Sequence, residues 1–374
     1  VSKIIRTYKF RLLTRKGQRR RLCEALEHTR ELYNAALQER IDCYRKTGGS
    51  RGYVAQTLSL TELRADPAFA IFPASLQYWP LRKLDQAFAA FFRRLKAGEK
   101  PGFPRFKGAD WFNSFGLSKR PGDGWSIRDG RLYIKGIGRI RIRIHMHRPM
   151  PSEPICCTVK RDSKGWVVCL ACEVACEPLA ATGADIGIDV GLSSLAALST
   201  GETVPNPRPA RRAQAELRRR QRALARCKLG SRNRRKAKSR VVRLYERIVN
   251  TRRTGLHTLA ARIIRDHDLI AIEDLNVKGL ARSRLARDVN DAGWATFAQL
   301  LSEKAERAGR TLVRVDCRHT SQTCPECGAI KPKDLKERVH SCPCGCVLDR
   351  DVAAARVILH RAVTGPGVLN LEAA

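Results

Sequence analysis

The chain is short of acid. Its 374 residues carry 36 Asp+Glu against 72 Lys+Arg, a formal charge of +36 and a pI near 10.5. Such an imbalance calls for a polyanionic partner. Long apolar runs are also missing. No stretch reaches the roughly 18 apolar residues that a membrane-crossing helix needs, which removes the rival explanation of the charge. Val1-Ser2-Lys3-Ile4-Ile5-Arg6 has no signal-peptide core, so the expected location is the cytosol, on DNA when bound. There is no Gly-rich nucleotide loop and no Ser-His-Asp arrangement, which excludes those two chemistries. Fourteen cysteines in such a chain read as metal ligands and buried thiols rather than a disulfide framework.

The length allows two or three domains. Lys3 to Leu12 alternates as a first strand. Leu22, Leu26, Thr29, Tyr33, Leu37 and Ile41 then recur at helical spacing, broken by Gly48-Gly49-Ser50. More helix follows to Leu95, where Leu81, Leu84, Phe88, Phe91 and Phe92 read as a core stripe. The loop Pro101 to Gly108 interleaves aromatics with Arg105 and Lys107, which suits stacking on bases. From Phe115 to Val174 the pattern is β, with a hairpin signal at Asp129-Gly130 and a second hairpin at Arg161 to Gly165. Arg139 to Met146 alternates strictly, so Arg139, Arg141 and Arg143 form a cationic row facing nucleic-acid backbone. Cys169 and Cys172 have knuckle spacing, but residues three apart on a strand face opposite ways, so this pair reads as buried thiols. Between Arg208 and Arg253 stand nineteen Lys+Arg and only Glu216 and Glu246 as acids. This is expected to be a helical hairpin turning near Gly230, presenting Arg218, Arg219, Arg220, Arg234, Arg235 and Lys236 to phosphates.

Two constellations carry chemistry. Cys324-Pro325-Glu326-Cys327-Gly328 is a C-x-x-C knuckle, and fourteen residues later comes Cys342-Pro343-Cys344-Gly345-Cys346. Two cysteine pairs across a short hairpin predict one structural Zn²⁺. Gly345 favours Cys344 with Cys342 as its mate, while Cys346 at C-x-x-x-C spacing is the alternative; Cys317, His319 and His340 are not counted as ligands. The second constellation begins at Ile186-Gly187-Ile188-Asp189-Val190-Gly191, an apolar strand with one carboxylate. An ionised carboxylate there is costly unless paired or metal-bound. Leu269 to Leu275 repeats the device with Glu273. Asp351 stands in the first turn of a helix, over Val347 to Leu359, for which Asp349 is a natural N-cap. Asp189, Glu273 and Asp351 together match a two-metal site for phosphodiester hydrolysis, and carboxylates with phosphate oxygens suit Mg²⁺, two ions in all.

In combination these segments resemble the TnpB family, compact nucleases of bacterial insertion sequences similar to type V CRISPR effectors. The resemblance is carried by Tyr8-Lys9-Phe10-Arg11, Tyr33-Asn34, Leu84-Asp85-Gln86-Ala87-Phe88, Phe91-Phe92, Gly102 to Lys107, Gly187 to Gly191, Ile272 to Leu275, Ser321 to Gly328 and Asp349-Arg350-Asp351. It implies an α+β multidomain chain. A wedge β-barrel (1–14 plus 112–180) would hold an inserted helical recognition domain (15–111). An RNase H-like RuvC α/β domain (181–318 plus 349–365) would hold an inserted zinc ribbon (319–348), and 366–374 would be a tail. It further implies an RNA-guided, Mg²⁺-dependent DNA endonuclease cutting beside a short adjacent motif. The guide RNA would come from the transposon end, and the substrate would be double-stranded DNA. The protein is expected in the cytoplasm, nucleoid-associated when bound to DNA and without membrane contact, with its oligomeric state left open and a monomer favoured. Asp189, Glu273 and Asp351 carry over as the catalytic Mg²⁺ ligands, and Cys324, Cys327, Cys342 and Cys344 as the Zn²⁺ ligands. The competing readings are a transposase and a nuclease-inactive accessory of transposition; the complete triad argues against the latter. Two departures from the family pattern are the C-x-C second knuckle and Ala353 where Asn is frequent.

Overall fold

Alternation makes the first strand. In β1 (Lys3–Leu13) Tyr8, Phe10 and Leu12 are buried while their neighbours point outward. The computed structural model describes residues 3–109, 111–119, 123–144, 149–176, 178–334 and 337–365. The chain divides into two units, 2–175 and 176–374.

In the first unit, β1 is followed by helices α1 (Lys16–Thr47), α2 (Tyr53–Leu63) and α3 (Ala74–Lys96). Strands β2 (Ser114–Ser118), β3 (Trp125–Arg128), β4 (Arg131–Ile134), β5 (Gly138–Arg143), β6 (Pro154–Asp162) and β7 (Gly165–Ala175) complete it. They join β1 in one antiparallel sheet of order β2-β6-β7-β1-β5-β4-β3. The sheet is nearly closed on itself: the Trp125 indole on one edge strand donates to the Ser118 carbonyl on the other, at 2.8 Å. Phe115, Leu132, Ile140, Val168 and Leu170 fill its interior, and Leu22, Leu26 and Leu76 of the helices plug it. The helices keep a smaller core of their own, made by Tyr33, Leu37, Leu60, Leu81 and Leu84. Asp129 and Gly130, at φ 49° and 66°, form the turn between β3 and β4.

Two expectations need correction here. The alternating strand ends at Arg143, and Ile144 is exposed rather than buried; His145 and Met146 lie outside the described residues. The aromatic stripe of α3 is fully buried as far as Leu84, continues on the core through the partly buried Phe88, and leaves the core by Phe92. Phe92 is 53% exposed, and Phe88 and Phe91 meet Phe103 edge to face, with ring centroids 5.6 and 5.5 Å away. Phe88 still packs on the helical core, under the Arg40 guanidinium 5.1 Å from its ring centre, while Phe91 and Phe92 pack on one another with ring centroids 5.2 Å apart.

The second unit is built on a five-stranded sheet of order β10-β9-β8-β11-β12. It comprises β8 (Asp185–Asp189), β9 (Ser194–Leu198), β10 (Thr203–Pro205), α4 (Pro209–Arg212), α5 (Gln214–Ala225), α6 (Arg232–Asp266) and β11 (Leu269–Glu273). Then come α7 (Val277–Leu280), α8 (Ala286–Ala292), α9 (Trp294–Ala308), β12 (Thr311–Val315), β13 (Val339–Ser341), β14 (Val347–Asp349) and α10 (Arg350–Thr364). Strands β8, β11 and β12 are parallel; β9 runs antiparallel to β8, and β10 antiparallel to β9. Period-two alternation sorts the side chains. Ile186, Ile188, Ile270 and Ile272 pack with Leu256, Ile263, Phe297 and Leu301 of α6 and α9. Ala271, Val313 and Val315 face the other way, onto Ile358 and Ala362 of α10. The stretch from Val347 is a short strand before it is a helix, with α10 starting at Arg350. The expected tail, 366–374, lies outside the described residues.

Gly187 allows α10 to come down on β8. A Cβ there would sit 2.0 Å from the Ala355 carbonyl oxygen and 2.8 Å from the Leu359 amide, both helix backbone that cannot swing aside. Gly187→Ala is therefore expected to cost about 3 kcal/mol and to lower the unfolding midpoint in a denaturant titration. A midpoint unchanged from wild type would contradict this packing.

Candidate metal centres and nucleic-acid surfaces

Strand register sets the carboxylates. β8 and β11 pair in parallel with Ile188 opposite Ile272, so Asp189 and Glu273 end adjacent strands at the same edge. Both continue the parity of Gly187 and Ala271, the face covered by α10. That helix begins at the same edge. Its N-cap Asp349 accepts from the amides of Asp351 and Val352 at 2.9 and 3.2 Å, which leaves the Asp351 carboxylate free in the first turn. Asp351 Oδ2 comes within 3.9 Å of where a side chain on Gly191 would begin.

Asp189 feels both of the other acids. Burial, then Glu273, then Asp351 push the Asp189 carboxyl up to about 8, against the Val190 amide and Arg350. Burial raises Glu273, opposed by the Thr320 hydroxyl and Arg361. Burial and Asp349 raise Asp351, opposed by Arg338 and Arg350. Three acids that cannot all ionise comfortably without added positive charge fit a divalent-cation site. They are set wider than the cysteines: among the described residues, the sets of three or more ligand atoms within 4.8 Å of one another are Cys324, Cys327, Cys342 and Cys344, and Cys324 with His340 and Cys346.

The cysteine cluster rests on two tight turns. In the first, the Gly328 amide donates to the Cys324 carbonyl; in the second, the Gly345 amide donates to the Cys342 carbonyl, both at 3.0 Å. Gly328 and Gly345 sit at φ 72° and 91°, where a side chain would be strained. Sulfurs of Cys324 and Cys344 lie 3.6 Å apart, and those of Cys327 and Cys342 3.5 Å apart. A disulfide is ruled out at that separation, whereas ligands at about 2.3 Å around tetrahedral zinc would be about 3.8 Å apart. Burial pushes the Cys324 thiol up, but the amides of Cys327 and Glu326 with the His340 and Cys327 side chains bring it down to about 5. The Cys346 amide pulls Cys344 down, yet Cys342 and the other sulfurs push it up to about 12. One thiolate is favoured while Cys327 and Cys344 are pushed towards the neutral thiol, so the set fits a structural dication that displaces their protons. The Cys169–Cys172 pair has no such company: Cys172 is buried in the sheet core, while Cys169 stands on the other face of β7 and is partly exposed.

The cationic residues divide into free and engaged. Arg139, Arg141 and Arg143 are exposed on β5. Arg141 stands directly opposite Arg131 in the sheet, a like-charge pairing that a polyanion relieves. Arg105 is exposed, whereas the Lys107 ammonium lies 5.4 Å from the Tyr33 ring centre. A side chain missed in the sequence holds this segment: the Asn34 amide both accepts from and donates to the Lys107 backbone, at 2.8 and 3.1 Å. The basic hairpin is α5 against α6, and α5 buries no residue. Arg220 and Arg234 work inside it, and the exposed Arg235 reaches the Gly230 carbonyl at the turn, at 3.5 Å. Arg220 donates to the Arg240 carbonyl and pairs with Glu216, and Arg234 donates to the carbonyls of Leu224 and Cys227 at the end of α5. Arg218, Arg219, Arg235 and Lys236 remain outward.

Comparison with known proteins adds the lineage. The family model described as "Probable transposase" matches residues 154–284, "Cas12f1-like, TNB domain" matches 294–358, and "Helix-turn-helix domain" matches 4–49. That last range folds as β1 and the single helix α1. A Streptomyces pristinaespiralis protein named "Putative RNA-guided DNA endonuclease" is 35% identical over 369 residues, covering 96% of this chain and 90% of the relative. The Escherichia coli K12 protein "Putative RNA-guided DNA endonuclease InsQ" is 29% identical over 298 residues, covering 75% and 72%. Among solved structures, the protein in the Cas12f1-sgRNA-target DNA complex shares the fold with a TM-score of 0.60, at 16% identity and coverages of 92% and 83%. With sequence likeness to the Streptomyces protein along nearly the whole of both chains, this chain belongs to the TnpB family of insertion-sequence proteins.

Proposed function

We propose that this protein is an RNA-guided, Mg²⁺-dependent DNA endonuclease. The observation that carries the proposal is the meeting of Asp189, Glu273 and Asp351 at one edge of the parallel strands. On this reading the five-stranded sheet with α10 is an RNase H-like RuvC domain, and the near-barrel is the wedge with α1 to α3 as its recognition insert. Residues 319–348 are a ribbon that Cys324, Cys327, Cys342 and Cys344 close around one Zn²⁺. The named relatives supply RNA guidance and DNA as the substrate.

Asp189, Glu273 and Asp351 would hold two Mg²⁺, which when bound activate water and stabilise the leaving oxygen of a phosphodiester. The protein's own groups do the rest. Asp189 lies centrally, sensing both other acids, and keeps a proton near neutral pH until a cation takes its place. The outward arginines of β5 and of the α5–α6 hairpin bind phosphates without reading sequence, so RNA retention should weaken steeply with salt.

The test begins with RNA that copurifies with the full chain expressed alongside its own flanking DNA. After sequencing, plasmids carrying the matching target beside randomised neighbouring bases are incubated with the complex and Mg²⁺. Cutting confined to matched plasmids with one class of neighbouring sequence is expected. Cutting regardless of match, or no retained RNA, would overturn the reading.

A further inference from the structure

Glu273 is not aimed by its own strand alone. Its Oε1 accepts a hydrogen bond from the Thr320 hydroxyl at 2.5 Å, across 47 residues of chain. Thr320 is 4% exposed, and its hydroxyl lies 3.2 Å from the Cys317 carbonyl, a second acceptor on the same side. The residue sits in a turn whose geometry leaves it little freedom. His319 is at φ 60°, and its carbonyl accepts from the amides of Gln322 and Thr323 and from the Thr323 hydroxyl, at 3.0, 2.9 and 2.8 Å. The next residue is Cys324, the first sulfur of the cluster. Branching at Cβ further restricts the Thr320 rotamer. The opposite end of the ribbon is tied in the same manner. Arg350, next to Asp351, is buried and donates to the carbonyls of Asp334 and Glu337 inside the ribbon, at 2.5 and 3.1 Å.

We propose that Thr320 is a positioning residue for the carboxylate site: its hydroxyl, anchored by the turn that leads into the cysteine cluster, aims Glu273 and so couples the ribbon to divalent-cation affinity. This rests on the reading of Glu273 as a metal ligand given above. Outer hydrogen bonds of this kind orient a ligand before the ion arrives, and losing one typically weakens metal binding about tenfold or more.

The experiment uses the full chain with its copurified RNA, as wild type, T320V, T320S, T320A and E273Q. Zinc content and RNA retention, unchanged from wild type, establish that each is folded. Mn²⁺ binding is followed by electron paramagnetic resonance, and matched-plasmid cleavage is titrated with Mg²⁺. T320V is expected to raise the Mn²⁺ dissociation constant and the half-saturating Mg²⁺ by about tenfold, with the rate at saturating Mg²⁺ held within about threefold. T320S, which keeps the hydroxyl, should return to within about twofold of wild type. If T320V loses its zinc, T320A, which adds no bulk, takes its place in the comparison with T320S. Wild-type Mn²⁺ affinity in the hydroxyl-free variant would overturn the proposal, as would T320S binding as weakly as that variant. E273Q separates the two levels: cleavage and Mn²⁺ binding at wild-type strength in E273Q would overturn the metal-site reading and this inference with it, whereas an inactive E273Q beside an unaffected T320V overturns the inference alone.

Discussion

Asp189→Asn is expected to abolish DNA cleavage and, in the same protein stripped of divalent cations, to raise the melting temperature at pH 8. The two effects have one cause. Asp189 is buried beside two other acids, which lifts its carboxyl from an unfolded value of 3.8 to about 8. Between those limits the native state binds a proton that the unfolded chain releases. The contribution is therefore fully present below about pH 4 and lost as pH rises towards 8. Asparagine does not ionise, so the variant and wild type should melt alike near pH 4 and diverge by several degrees near pH 8. If Asp189 is the central cation ligand proposed above, its loss removes several kcal/mol of transition-state stabilisation, a fall of about a thousandfold or more in rate. RNA retention should be unchanged, because the exposed arginines of β5 and of α5–α6 are untouched. A less stable Asp189→Asn protein at pH 8 would contradict the electrostatic account of the site.

Replacing Cys324 and Cys327 together by serine is expected to have the second large effect. Wild-type protein should carry about one zinc ion per chain, and the double variant none. Structural zinc is worth on the order of 10 kcal/mol to the fold of so small a ribbon. β13 and β14, of three residues each, offer no core to replace it. The loss should stay local at first. Glu273 and Asp351 belong to strand and helix outside the ribbon, but the Thr320 and Arg350 ties would slacken, so cleavage should fall while RNA stays bound. Metal analysis and limited proteolysis measure both parts: the expected result is loss of zinc with new cuts confined to residues 319–348. A folded wild-type protein without zinc would contradict the assignment.

Local pattern made much of this legible. Strand β1 runs from Lys3 to Leu13, where the alternation predicts a strand to Leu12, and Asp349 caps α10 as its position before the acid-rich turn predicts. Asp129-Gly130 turns where a type I′ hairpin requires two positive φ values. Two apolar strands each carrying one acid were legible in the sequence; the fold ends both strands on those acids, where the pattern alone places Asp189 inside its strand. What stayed hidden depends on partners distant in sequence. Thr320 is one threonine among many until β11 and the turn after β12 bring it to Glu273. Asn34 is an exposed-looking helical residue until Lys107 docks on it. Arg220 and Arg234 look like their neighbours in a run of cations, and only the hairpin's closure shows that carbonyls claim them. Phe92 has the spacing of a core residue but meets only the neighbouring rings of Phe88 and Phe91 in the described contacts and stays exposed, because periodicity reports a face and not what covers that face.

The carboxylates closing β8 and β11 and opening α10 are proposed as the nuclease site of an RNA-directed enzyme. The most direct measurement sets wild type and Asp189→Asn, each with its copurified RNA, against the matched plasmid in Mg²⁺. Linear DNA from wild type alone, with equal RNA bound to both proteins, is the expected result. Cutting by Asp189→Asn at the wild-type rate would contradict it.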